Sequence, residues 1–137
     1  MSTDTPQPTV WPAFQAHNPR VVIDTLVALG FEETACYTDE DGVIQHAQLS
    51  WPEGGGIMLG IHKPDGPFTQ QPGTTSAYIV TSDVDAVLAR AQAAGLDVPG
   101  APHERDYASR EFGVRDPEGN QWSFGTYPGE PRRGTPS

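Results

Sequence analysis

The chain has 137 residues, 36% hydrophobic and 19% charged, which suits one domain with a real core and is short for two independent ones. Its formal net charge of −10 lacks the basic surface that phosphates demand, which argues against nucleic-acid and anionic-membrane partners; it favours solubility first and cationic ligands second. No apolar run would span a bilayer, no basic-then-apolar leader opens the chain, and the single cysteine, Cys36, has no intrachain partner, so a cytoplasmic location is expected.

The elements follow in order. "MSTDTPQP" reads as a polar, mobile tail over 1–8, and "VWPAFQA" (10–16) as a first strand. Asn18 is a good N-cap, Pro19 suits the first helical position, and Val22, Ile23, Leu26 and Leu29 keep helical spacing up to Gly30. "FEETACY" (31–37) and "IQHAQLSW" (44–51) read as strands, followed by a Pro-Glu-Gly turn and the strand "GIMLGIH" (56–62). "KPDGPFTQQPG" (63–73) is a linker. The order then recurs: strand "SAYIVT", a helix capped by Asp83 with Val84, Val87, Leu88, Ala91 and Ala94 on one face, and Gly95 at its end. Strands "DVPGAP" (97–102) and "SREFGVR" (109–115), a second Pro-Glu-Gly turn, strand "QWSFGTY" (121–127) and a polar tail over 128–137 complete the chain.

The recurrence is gapless. A shift of 65 residues lays Pro52-Glu53-Gly54 on Pro117-Glu118-Gly119, Gly60 on Gly125, Gly30 on Gly95 and Asn18 on Asp83. Each half is therefore a βαβββ module: module one over 9–62, the linker over 63–73, module two over 74–127, together one α+β domain over 9–127.

Paired modules of this kind, ending in "VRDPEGNQWSFGTY" and matched by "HAQLSWPEGGGIMLG", resemble the vicinal oxygen chelate superfamily of glyoxalases, bleomycin-resistance proteins and extradiol dioxygenases. The resemblance implies that each module curls into a half-barrel with a cupped concave face. It also implies that two chains pair as a homodimer. In the enzymes of that family four inward side chains, usually His, Gln or Glu, hold a divalent metal. Carried over, those positions fall at Trp11, Met58 (or Leu59 beside it), Ser76 and Ser123, which obey the same 65-residue shift. Trp does not coordinate, Met prefers soft ions and Ser is a poor ligand at neutral pH. A one-residue slip offers nothing better. No metal or other cofactor is therefore expected, nor the Lewis-acid chemistry that depends on one. What remains resembles the antibiotic-binding branch, which sequesters a drug without transforming it.

Strand alternation gives the lining. Trp11, Ala13 and Gln15 point inward with Ser76, Tyr78 and Val80, as do Met58, Gly60 and His62 with Ser123, Gly125 and Tyr127. His46, Gln48, Glu111 and Gly113 complete the concave face, while Phe14, Ile57, Leu59, Trp122 and Phe124 form core. The expected cup has walls of Trp11, Tyr78 and Tyr127, floors of Gly60 and Gly125, and polar groups Gln15, His46 and Glu111. Phe68 and Tyr107 stand on rim loops. The expected ligand-binding set is Trp11, Gln15, His46, Met58, Gly60, Ser76, Tyr78, Tyr107, Glu111, Ser123, Gly125 and Tyr127. A displaced metal site at His46, His62 and Glu111, or a His46–Glu111 acid/base pair, stays open. No P-loop, dinucleotide fingerprint or zinc spacing is present. Cys36, on an edge-like strand, reads as a small buried hydrophobe.

The leading expectation is a metal-free binder that sequesters an aromatic or cationic antibiotic-like ligand. The alternatives are a glyoxalase/lyase- or dioxygenase-like metalloenzyme with an atypical metal site, and a degenerate dimerisation module.

Overall fold

Pro19 opens helix α1 (Pro19–Leu29), and Gly30 closes it at φ 121°, a backbone conformation that L side chains rarely adopt. Around α1 the computed structural model, which describes residues 7–100, 103–104 and 109–130, builds β1 (Ala13–Ala16), β2 (Glu32–Thr38), β3 (Ile44–Ser50) and β4 (Gly56–Ile61). The second half follows as β5 (Ser76–Val80), α2 (Val84–Ala93), β6 (His103–Glu104), β7 (Arg110–Arg115) and β8 (Gln121–Gly125). None of the described helices is long and apolar enough to cross a membrane. The outermost residues of both expected tails, 1–6 and 131–137, lie outside the described residues.

Each half forms its own four-stranded sheet, in the orders β1-β4-β3-β2 and β5-β8-β7-β6. The 65-residue shift holds at the level of strand pairing. Ala13 lies opposite Met58 as Tyr78 lies opposite Ser123, and Ala47 opposite Leu59 as Phe112 opposite Phe124. The chain is thus an α+β fold of two tandem βαβββ modules with open sheets.

Three local expectations need correction. The first strand starts at Ala13, not at 10, because Pro12 brings no N–H to the ladder; its carbonyl still accepts from Met58 N at 2.9 Å. Over 97–100 the expected strand is reduced to one bridge, Asp97 to Arg115, after which Pro99 lacks a donor and Gly100 turns to φ 93°; residues 101–102 lie outside the described residues, and His103–Glu104 pairs with β7. Asn18 makes no side-chain cap, whereas Asp83 does, accepting from Ala86 N at 3.0 Å.

The start of α1 is held from the other module instead. Glu118, in the second Pro-Glu-Gly turn, accepts from His17 N at 2.9 Å and also from Asn18 N. Glu53, in the first such turn, accepts from Ser82 N at 2.8 Å just before α2. Residues 17 and 82, like 53 and 118, are related by the repeat shift, so the contact is reciprocal. Free amides and the positive end of a helix attract a carboxylate. Alongside this clasp Trp51 donates to Val80 O at 3.0 Å, and the ring pairs Phe14–Trp122 and Trp51–Phe124 lie 5.6 and 5.7 Å apart. Phe14, Leu49, Ile57 and Leu59 thereby join Phe112, Val114, Trp122 and Phe124 in one core with both helices. The convex faces of both sheets meet there, and both concave faces turn away from it.

The two turns reach one shape by different chemistry. Asp116 is buried and accepts from Glu118 N, Asn120 N, Asn120 Nδ2 and Trp122 Nε1 at 2.8–3.0 Å. Trp51 occupies the equivalent place in module one, where glycines make the turn instead.

Replacing Asp116 by Ala strands four donors, and urea unfolding is expected to show a loss of about 3 kcal/mol. Glu118→Ala removes the anchor of α1 and is expected to cost about 1 kcal/mol by the same measurement. Burial pushes the Glu53 carboxyl upward, but the Thr81 hydroxyl, the Ser82 groups and the charge of Arg90 outweigh it and hold it below the usual carboxylate range. Its contribution is therefore full above that range and fades as pH falls through it. Glu53→Gln is expected to flatten the acid limb of stability measured between about pH 5 and 3.

Candidate functional site

The concave face of module one is open. Ala13 and Gln15 from β1 and Met58 and Gly60 from β4 make its floor, because alternation sends Phe14 and Leu59 to the core. On one side stand Gln45 and His46 from β3. On the other the linker folds back, with a turn closed by Gly66 N to Lys63 O at 2.9 Å, and brings Lys63, Pro67, Phe68, Thr69 and Gln70 to the rim. The cavity measures about 660 Å³. His46 stacks on Tyr37 with ring centroids 6.1 Å apart and planes 22° from parallel, and Phe68 is 63% exposed on the far lip. The cavity thus has an apolar floor between an imidazole and a phenyl ring. At the β1/β4 end His62 Nδ1 pairs with Gln15 Oε1 at 2.8 Å, which fixes the Gln15 side chain.

Gly60 is required by the backbone. A Cβ there would run into the carbonyl oxygen of Gln45, the residue left without a β2 partner where the β2–β3 register slips between Tyr37 and Thr38. The same bulge carries Gln45 into the cavity, where strict alternation would have sent it to the core. Gln45 and Ile61 escaped the sequence reading as lining residues, and of the linker expected as a rim only Phe68 was singled out, not Lys63, Pro67, Thr69 and Gln70. The bulge leaves no mark in the residue pattern, and the linker's fold-back is signalled only by its Pro-Asp-Gly-Pro turn.

Module two's concave face is arranged differently. Tyr78 crosses the floor, its hydroxyl lying where a Gly125 side chain would project and accepting from Tyr127 N at 3.0 Å. Glu111 is buried beside it and accepts from Ser109 Oγ at 3.2 Å, and Tyr127 donates its hydroxyl hydrogen to Glu130 at 2.7 Å. Among the described residues, Tyr78 and Glu111 cover this face around Gly125.

Of the expected set, Gln15, His46, Met58 and Gly60 therefore share one cavity, with Phe68 on its rim. Trp11 does not line it: its ring sits over Gly56, where a Cβ would come within 2.6 Å of Cζ3, and its Nε1 donates to Pro8 O at 3.3 Å. Ser76, Tyr78, Glu111, Ser123, Gly125 and Tyr127 belong to the sheet of module two, and Tyr107 lies outside the described residues. The single cup drawn from both modules is not assembled within one chain, because the shared core lies between its halves. Among the described residues no three His, Cys, Asp or Glu side chains group as metal donors, so His46, His62 and Glu111 do not converge in one chain. The positions carried over from the family's metal site, Trp11, Met58, Ser76 and Ser123, supply neither imidazole nor carboxylate and do not fit a divalent ion. Cys36 is half-buried on the edge strand β2, 3.6 Å from an Arg20 guanidinium nitrogen, rather than sealed in the core.

The family model described as "Glyoxalase/Bleomycin resistance protein/Dioxygenase superfamily" matches residues 26–124. Among solved structures, TioX from Micromonospora sp. ML1 is 26% identical with a TM-score of 0.69, over 85% of this chain and 97% of that one. A glyoxalase/bleomycin resistance protein from Streptomyces sp. CB03234 is 25% identical with a TM-score of 0.63, over 84% and 98%. A bleomycin-binding protein complexed with bleomycin shares the fold at 13% identity and a TM-score of 0.62, over 88% and 99%. No curated protein sequence matches the chain.

Gly60→Ala must displace β3 or β4, and a loss of roughly 1–3 kcal/mol in urea unfolding is expected, with amide shifts centred on Gln45 and His46. Gly125→Ala displaces a side chain rather than backbone and is expected to free Tyr78 at smaller cost, read as changed tyrosine NMR signals.

Proposed function

The chain belongs to the Glyoxalase/Bleomycin resistance protein/Dioxygenase superfamily, and from that premise we propose that it is a binding protein that sequesters a small, flat, largely apolar molecule in the cup of module one. The observation that carries this reading is the cavity of about 660 Å³ with its Met58–Gly60–Ala13 floor between His46 and Phe68. Its size falls within the range of small-molecule sites, and a mostly apolar lining with a few polar groups is their usual composition. Stacking between rings suits the aromatic character expected from the sequence. A family neighbour named for binding bleomycin points the same way. The residues at the four carried-over metal positions give a metalloenzyme reading no donor set to stand on.

The cup is open on its solvent side, and a second copy of the chain is its proposed cover. In such a homodimer module two of one chain, bearing Tyr78, Glu111, Ser123 and Tyr127, faces module one of the other. The ligand-binding set expected from the sequence would then be gathered across two chains.

Met58 and Met1 are the only methionines, so methyl-labelled methionine gives one NMR reporter inside the cavity. Planar aromatic molecules are expected to shift the Met58 methyl signal, and Phe68→Ala is expected to weaken them by about five-fold or more. A panel that leaves Met58 unmoved sinks the reading. Sedimentation at twice the chain mass is the expected result for the dimer; a monomer at all concentrations refutes it.

A further inference from the structure

The cup's lining differs in charge from the molecule that carries it. Asp and Glu number 18 in the chain against 8 Lys and Arg, yet among the described residues no carboxylate lines the cavity. The only lysine in the chain, Lys63, stands on its rim. Three arginines are engaged elsewhere: Arg20 with Glu33 at 3.1 Å, Arg110 with Asp85 at 2.9 Å, and Arg90 with the Leu29 carbonyl at 3.4 Å. Lys63 makes no ion pair with any described residue. The carboxylate behind Gln45, Asp39, is already engaged: one oxygen accepts from Asp41 N and Val43 N, both at 2.9 Å, and the other from the Gln45 side-chain amide at 3.4 Å. The polar side chains lining the cavity carry an ammonium, an imidazole, the Thr69 hydroxyl and amides.

We infer that the occupant of this cup is an anion: a flat aromatic acid whose ring lies between His46 and Phe68 and whose carboxylate, or an equivalent acidic group, meets Lys63. The inference rests on the cup being a binding site and adds the class of ligand. An ammonium offers donors only, and a carboxylate acceptors only, so the two match without a competing group in the lining. A cationic ligand would find ring faces and amide oxygens but no counter-charge. The net charge of −10 therefore misleads about this site, because the acids that make it lie elsewhere on the chain.

Three probes of one shape test this: 2-naphthoate, 2-naphthamide and 2-naphthylmethylammonium, titrated against methyl-methionine-labelled protein and followed at Met58. Naphthoate is expected to bind most tightly, to lose roughly two- to five-fold in Lys63→Gln, and to keep its affinity in Lys63→Arg. Naphthamide, lacking the charge, is expected to change by less than about two-fold in either variant. If the ammonium probe binds as tightly as naphthoate, or if Lys63→Gln leaves naphthoate unchanged, the anionic class is wrong. The Met58 response to naphthamide would then still uphold the cup as a binding site. If none of the three probes moves Met58, the binding reading falls and this inference falls with it.

Discussion

Each module is held by a carboxylate from the other. Glu118 takes the amides ahead of α1, and Glu53 takes the amide ahead of α2, at positions that the repeat makes equivalent. A helix start leaves amides unpaired, and a partner from outside the helix both satisfies them and fixes where the helix points. Because the two contacts are reciprocal, they set the modules in a single arrangement. Trp51 and Trp122, the residues next to or within the same hairpins, then fall into the joint core.

That arrangement decides what the concave faces can be. With the convex faces spent on one core, neither cup can borrow a wall from its sister module in the same chain. The duplicated halves have diverged accordingly. Gly60 makes room for a bulging backbone and leaves space above it, whereas Gly125 makes room for Tyr78, which fills the space. One glycine repeated at one register thus meets a strand backbone in one half and the Tyr78 and Glu111 side chains in the other.

Charge follows the same local logic. A carboxylate can serve the fold where it meets helix amides or an arginine, as Glu53, Glu118, Glu33 and Asp85 do. Within the cup such partners are lacking among the described residues, and the polar lining is amide, imidazole, hydroxyl and ammonium. Bulk charge is a property of the whole surface, and a site a few residues wide is free to differ from it.

The element order of the two modules, the 65-residue repeat shift and the inward face of the central strands were legible in the sequence, because they rest on local causes: helical spacing, terminating glycines, turn chemistry and strict alternation. The same local causes placed Gln15, His46, Met58 and Gly60 on one face. They also misplaced what depends on partners far along the chain. Asn18 looks like a cap, but its helix is anchored 100 residues away by Glu118. Trp11 looks like a cup wall, but it packs over Gly56. Tyr78 and Glu111 look like partners of His46, but they lie beyond a shared core. Residue identity and spacing specified the two half-barrels and the apolar floor of a cup. Only the tertiary structure decided which cup stays open, which loop walls it and which charge it presents, since those follow from long-range packing that no local pattern encodes.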